Sequence, residues 1–309
     1  QHNRLAIAIA DAGQPVVLWT RSATHAQDMR ENRRNSVYLP NTRLPDLVTP
    51  TSTIEDLSNA QTLLLAVPLQ QVRSVLTATN PPSHSFVACC KGIELSTGLG
   101  PTGVIKDALP DAETAILTGP SFAADIAVGR PTALTLACED DTRGEALQTL
   151  LTTPTLRLYR TTDTTGAELG GALKNVMAIA CGAVMGADLG NSARAAIMTR
   201  GFAEMQRIGA VFGARAETLS GLSGLGDLAL TCTSEMSRNY RLGLCLGRNE
   251  AFDPSVTVEG AATARAMSQI AQRKGIDVPI TKTVTELLDG TTAISEAIAK
   301  LMTRPLKEE

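Results

Sequence analysis

The chain has 309 residues, 28 Lys and Arg against 31 Asp and Glu for a net charge of −3, and 43% hydrophobic residues of which few are aromatic. That charge offers no general field for nucleic acid or an anionic membrane surface, so any basic site must be local. The length exceeds one ordinary core and predicts two domains, packed with Ala, Leu, Val and Ile.

In chain order, residues 5–10 read as a small-residue helix stopped by Gly13. Residues 14–20 form a buried strand with Arg21 and Ser22 at its carboxyl end. Residues 23–34 form a polar helix whose Arg30, Arg33 and Arg34 make a solvated face. Pro40 and Pro45 mark a loop over 35–46. Apolar strands follow at 62–67, 85–90, 114–118, 132–137 and 156–159, alternating with helices after Pro68, after Phe122 and over 141–151. Such alternation predicts the α/β class, a doubly wound, Rossmann-like and mostly parallel sheet covered on both faces. Ligands of such sheets bind outside the carboxyl ends of the strands, where Arg21, Pro68, Lys91 and Gly119 fall.

From Thr164 onward helical spacing replaces strands, at 166–185, 193–212, 238–246, 263–274 and 281–288. The expected division is therefore a dinucleotide-binding domain over 1–163 and an all-helical substrate domain over 164–309. The junction, residues 164–175, holds Gly166, Gly170 and Gly171 just ahead of Lys174 and opens a strongly apolar helix. Small residues there suit either a tight packing seam or the close approach of a ligand to the lysine. The six cysteines are scattered without a C-x-x-C pair or a nearby histidine, which argues against a metal site or a disulfide framework. No signal region opens the chain and no apolar run reaches the ~18 residues a membrane span needs, so a cytoplasmic protein without membrane insertion is expected.

A dinucleotide domain should open with a strand and G-x-G-x-x-G. This chain opens on Gln1-His2-Asn3-Arg4, directly in the first helix, so the first strand and glycine loop are absent from it and a truncated amino terminus is expected.

Three further stretches carry chemistry. Lys91-Gly92-Ile93-Glu94 follows a buried strand, and Gly119-Pro120-Ser121-Phe122 follows the next. Residues 220–227, SGLSGLGD, form a glycine-rich loop ending in Asp227, with Ser237-Arg238-Asn239 ten residues on. A hydroxyl, a guanidinium and an amide at a helix start suit a phosphate, although an N-cap beside a surface arginine would read the same way.

Together with AVPLQQVRSVL, KGIELSTG, LTGPSFAADIAVGRPTA, TGAELGGALKNVMAIACG, GLSGLGDLALTCTSEMSRN and Thr257-Val258-Glu259-Gly260, these stretches resemble the bacterial-type NAD(P)-dependent glycerol-3-phosphate dehydrogenases over nearly the whole chain. The resemblance implies interconversion of sn-glycerol 3-phosphate and dihydroxyacetone phosphate, feeding phospholipid synthesis. It implies that Lys174 accepts the hydroxyl proton and that Lys91 contacts both substrate and cofactor. Asp227 joins them in the catalytic group. Gly119, Ser121, Asp227, Ser237, Arg238 and Asn239 match substrate positions, and Arg21, Ala123, Arg238, Thr257 and Glu259 match cofactor positions. A lysine of ordinary pKa is a poor base near neutrality, so burial or a second cation must lower it. Arg21 without a following carboxylate favours NADP(H), with NAD(H) possible. The family also implies a homodimer acting on a small-molecule substrate without nucleic acid. A related lysine-dependent 3-hydroxyacid dehydrogenase and a non-catalytic nucleotide sensor stand as alternatives.

Overall fold

The structure is a computed structural model and describes residues 2–122, 125–126 and 128–302. The chain divides into two compact units, one of Gln1–Cys90 with Pro101–Thr164, the other of Lys91–Gly100 with Thr165–Glu309.

The first unit runs α1 (His2–Asp11), β1 (Val16–Trp19), α2 (Ala23–Asn32), β2 (Arg34–Asn35), β3 (Leu39–Arg43), β4 (Val48–Thr51), a 3-10 turn (Ile54–Leu57) and β5 (Leu63–Leu65). It continues through α3 (Leu69–Thr79), β6 (Ser85–Ala88), α4 (Pro101–Ala108), β7 (Glu113–Thr118), β8 (Thr132–Cys138), α5 (Asp141–Leu151) and β9 (Leu156–Thr161). The main sheet has the order β5-β6-β7-β8-β9 and is parallel except between β7 and β8. β1 and β4 form a separate parallel pair, in register from Val16 with Val48 to Trp19 with Thr51.

α1 is apolar on more than one face because it serves two cores. Leu5 and Ile9 pack with Val87, Leu117 and Leu136 of the main sheet, while Ala6, Ile7 and Ala10 pack with Leu18, Met29 and Val48. A helix lying between two apolar layers has no solvated stripe to display. Helix starts follow local chemistry: Ser22 accepts from the His25 amide ahead of α2, and Asp140 accepts from the Arg143 amide ahead of α5.

Two expectations for this unit are corrected. The stretch 35–46 is not a plain loop but an antiparallel hairpin of β2 and β3, with a register irregularity at Arg34 and Asn35. Arg33 does not lie on a solvated face. It takes the left-handed conformation at the end of α2, and its guanidinium donates to the carbonyls of Val48, Leu44 and Pro45, pinning the chain that leads into β4. The helix expected after Phe122 falls largely outside the described residues, of which 125–126 are helical.

The second unit is helical: α6 (Thr164–Gly186), α7 (Gly190–Val211), α8 (Ala216–Ser220), a π-helical turn (Leu222–Gly226), α9 (Asp227–Cys232), α10 (Arg238–Arg248), α11 (Glu259–Lys274), α12 (Pro279–Leu288) and α13 (Ile294–Met302). α6 is its axis. Val176, Met177, Ala178, Ile179, Ala180 and Cys181 are consecutive and all buried, so every face of the helix is covered. Against expectation, α6 is long and apolar enough by length and composition to cross a membrane, yet 89% of its most apolar window is buried inside the protein. Gly182 and Gly186 on α6 face Gly243 and Gly247 on α10, where a Cβ built on Gly243 would lie 2.9 Å from the Gly182 Cα. The glycines therefore let the two backbones touch, which sets where α10 begins relative to α6.

Candidate active site

Three ionisable side chains from three segments meet inside the helical unit. Lys174 projects from the middle of α6, Asp227 opens α9, and Lys91 stands in the 91–100 segment that packs with this unit. Lys174 and Lys91 are each 7% exposed and Asp227 is 1% exposed. The carboxylate divides its oxygens between the cations, with Lys91 Nζ 2.5 Å from Oδ2 and Lys174 Nζ 2.8 Å from Oδ1. Two ammoniums drawn to one carboxylate in this buried setting suit an anionic or oxyanionic ligand.

The local backbone explains how Asp227 arrives there. The glycine-rich loop is not an open cradle but the π-helical turn between α8 and α9, a form concentrated at functional sites. A Cβ on Gly224 would strike Leu219, so only glycine permits this turn. Gly170 of α6 lies against the same turn, where a Cβ would come within 2.7 Å of the Ser223 carbonyl oxygen. The space left at Gly170 is thus filled by the chain itself and is a packing seam rather than room for a ligand.

Thr231 was not among the expected site residues and belongs to the cluster. Its Oγ1 accepts from Lys174 Nζ at 2.7 Å and lies 3.3 Å from Asp227 Oδ1. The i, i+4 spacing from Asp227 on one helix is the signal that could have found it. Lys174 is held below the ordinary lysine range, at about 8, chiefly by burial and further by the charge of Lys91, with Asp227 opposing both.

The helical unit also carries the remaining expected residues of the 164–309 stretch. Ser237 is the N-cap of α10 and accepts from the Tyr240 amide at 3.2 Å. Arg238 is exposed. Glu259, half-buried in the first turn of α11, has its carboxyl pushed up by burial, countered first by Arg238 and then by Lys91 and Lys174. Thr257 is exposed. Asn239 donates to Asn175 Oδ1, another residue absent from the sequence expectations.

The first unit carries the others. Arg21 is exposed just past β1. Gly119 follows β7 at φ +139, and a Cβ there would lie 3.3 Å from the Leu134 Cα, so glycine is required on both counts. The Ser121 hydroxyl lies 3.5 Å from the Gly119 carbonyl. Ala123 lies outside the described residues.

Residues 3–143 match the NAD-dependent glycerol-3-phosphate dehydrogenase N-terminus, and residues 163–299 match the C-terminus of the same family. The chain belongs to the NAD-dependent glycerol-3-phosphate dehydrogenase family. It is 62% identical over 307 residues to the glycerol-3-phosphate dehydrogenase [NAD(P)+] of Ruegeria sp. (strain TM1040), covering 99% of this chain and 96% of that one. The enzyme of the same name from Paracoccus denitrificans is 54% identical over 99% of this chain and 96% of its own. Among solved structures, glycerol-3-phosphate dehydrogenase from Coxiella burnetii matches with a TM-score of 0.91 and 33% identity, over 97% of this chain and 95% of that one. As a member of this dehydrogenase family, the chain is an NAD(P)-dependent oxidoreductase acting on a CH–OH group of a small molecule. Its Rossmann-like sheet unit and helical C-terminal unit are those of the family's known structures.

Proposed function

We propose that this chain interconverts sn-glycerol 3-phosphate and dihydroxyacetone phosphate, supplying glycerol 3-phosphate for phospholipid synthesis, with Lys174 as the base. The observation that carries this reading is a buried lysine bonded to both a carboxylate and a threonine hydroxyl, with burial lowering its pKa to about 8. A general base works best with its pKa near the operating pH. In its neutral form the amine donates its two N–H groups to Asp227 and Thr231, which leaves its lone pair to take the substrate's hydroxyl proton. In the reducing direction the ammonium returns that proton to the new alkoxide. Lys91 polarises the same oxygen with its charge.

Arg238 and Asn239, with the amino end of α10 and the Ser237 hydroxyl, suit the phosphate of the substrate. Gly119 and Ser121 contribute further substrate contacts. For the dinucleotide, the parallel strands of the first unit end in Arg21 and in the Gly119 turn, the edge where nucleotides bind in such sheets. Arg21, Ala123, Lys91, Arg238, Thr257 and Glu259 would hold it, and when bound the nicotinamide supplies the hydride acceptor or donor. Exposed Arg21 favours the 2′-phosphate of NADP(H). Residues 1–163 then supply most of the dinucleotide-binding domain and 164–309 the catalytic domain, in a cytoplasmic homodimer.

The test is direct. Purified protein should oxidise NADPH when dihydroxyacetone phosphate is added, with a lower KM for NADPH than for NADH. Absence of turnover with that substrate would sink the assignment, and a lower KM for NADH would reverse the cofactor preference.

A further inference from the structure

We infer that Asn175 is a positioning residue that sets the orientation of Asn239 for the substrate's phosphate. The inference rests on the proposed reading of Ser237, Arg238 and Asn239 as the phosphate subsite. Asn175 follows Lys174 on α6 and is only 3% exposed. Its Oδ1 accepts from Asn239 Nδ2 at 2.9 Å, while Asn239 Oδ1 accepts from the Gly260 amide at 2.9 Å.

The direction of this chain is dictated by its end. A backbone N–H can only donate, so the Asn239 oxygen must face Gly260 and its NH2 must face Asn175. An amide free to flip would present oxygen to an anion half the time. This one always presents nitrogen, and its second Nδ2 hydrogen has no partner among the described residues. A phosphate oxygen is the acceptor that such a donor beside Arg238 suits.

The clasp also leaves no slack. A Cβ on Gly260 would lie 2.5 Å from Asn239 Oδ1 and 2.8 Å from the Asn175 carbonyl oxygen. The starts of α10 and α11 are therefore seated on α6 one residue past the base. In the proposed reading the proton passes to Lys174, and no side-chain hydrogen bond joins Lys174, Asp227 or Thr231 to Asn175 among the described residues.

The experiment compares Asn175→Leu, Asn175→Asp, Gly260→Ala and Asn239→Ala in steady-state reduction of dihydroxyacetone phosphate across pH, with thermal unfolding of each. Asn175→Leu and Gly260→Ala should each raise KM for dihydroxyacetone phosphate by about tenfold, the worth of one charge-assisted hydrogen bond. Their kcat should stay within about threefold, with the pH limb near 8 in place. Asn175→Asp keeps the acceptor, so its KM should stay near wild type while its charge moves the limb upward. If Asn175→Leu fails to fold, Gly260→Ala decides. KM unchanged in the clasp variants while Asn239→Ala raises it would overturn the positioning role alone. KM unchanged in Asn239→Ala would overturn the phosphate subsite and the clasp's function with it.

Discussion

The helical unit buries two charged centres, and they are built on opposite plans. Glu204 on α7 is fully buried and has no cation paired with it among the described residues. Instead the start of α12 closes over it, with Ile280 N at 2.8 Å, Thr281 N at 2.9 Å and Thr281 Oγ1 at 2.6 Å. Every donor comes from the chain, so the carboxylate is spent as a helix cap. The Lys91–Asp227–Lys174 cluster is also buried, but there one carboxylate is shared between two lysines and the Lys174 pKa is pulled toward neutrality. Burial alone therefore does not mark a reacting site. In the proposed reading, what marks it is a buried lysine whose pKa two opposing charges tune.

The sharpest way to break that contrast is to remove the proposed base. Lys174→Ala should lower turnover about 10²- to 10⁴-fold, the usual contribution of general acid–base catalysis, while cofactor affinity measured by fluorescence titration hardly changes. Equal losses in both would reduce the cluster to a structural feature like Glu204. Asp227→Asn comes next, because it leaves two buried cations facing each other without a carboxylate. Urea unfolding should show a loss of about 3–5 kcal/mol. A neutral result there would mean that water already screens the lysines.

At the capped centre the expected effect is smaller and confined to stability. Glu204→Gln removes the charge but turns an NH2 toward backbone donors, so about 1–3 kcal/mol should be lost with kcat unchanged. The pH dependence has a definite sign. Burial raises the Glu204 pKa, so the folded state binds more protons than the unfolded state between the ordinary value and the raised one. Its contribution to stability is full below that window and is lost as pH rises through it. Urea midpoints of wild type minus Glu204→Gln should fall with pH across the window, and a flat difference would contradict the burial.

Much of this contrast could be read from the sequence, and the unread part has physical causes. Alternating apolar strands and helices announced the parallel sheet, and the breakdown of that rhythm at Thr164 announced the helical unit. Periodicity could not bring Lys91 to Asp227, 136 positions away, or Lys174 to Asp227, 53 away. Only family resemblance grouped them, because side-chain convergence is a property of the packed helices. Thr231 was legible from helical spacing. The β2–β3 hairpin was hidden by Pro40, which reads as a loop signal but is tolerated on a short edge ribbon. Arg33 was hidden because a charge run resembles a solvated face until the carbonyls it binds are in place. Gly170 could signal either a seam or a ligand, and the Ser223 backbone decides for the seam.

The finest test of the contrast is the balance of charges on Lys174. Alcohol oxidation needs the neutral amine, so its rate should rise with pH to a plateau above about 8, whereas ketone reduction needs the ammonium and should fall there. Folding stability follows the same pKa. Between about 8 and the ordinary lysine value the unfolded chain binds more protons, so the contribution of Lys174 to stability improves as pH rises through that window. Lys91 and Asp227 act on this pKa with opposite signs, the first lowering and the second raising it. Lys91→Met should therefore move the kcat/KM limb to higher pH, by at most about one unit, and Asp227→Asn should move it to lower pH. Opposite displacements would show that one carboxylate and one ammonium tune the same amine. Displacement of both in the same direction would mean that each variant acts by changing burial, because desolvation has only one sign for a lysine.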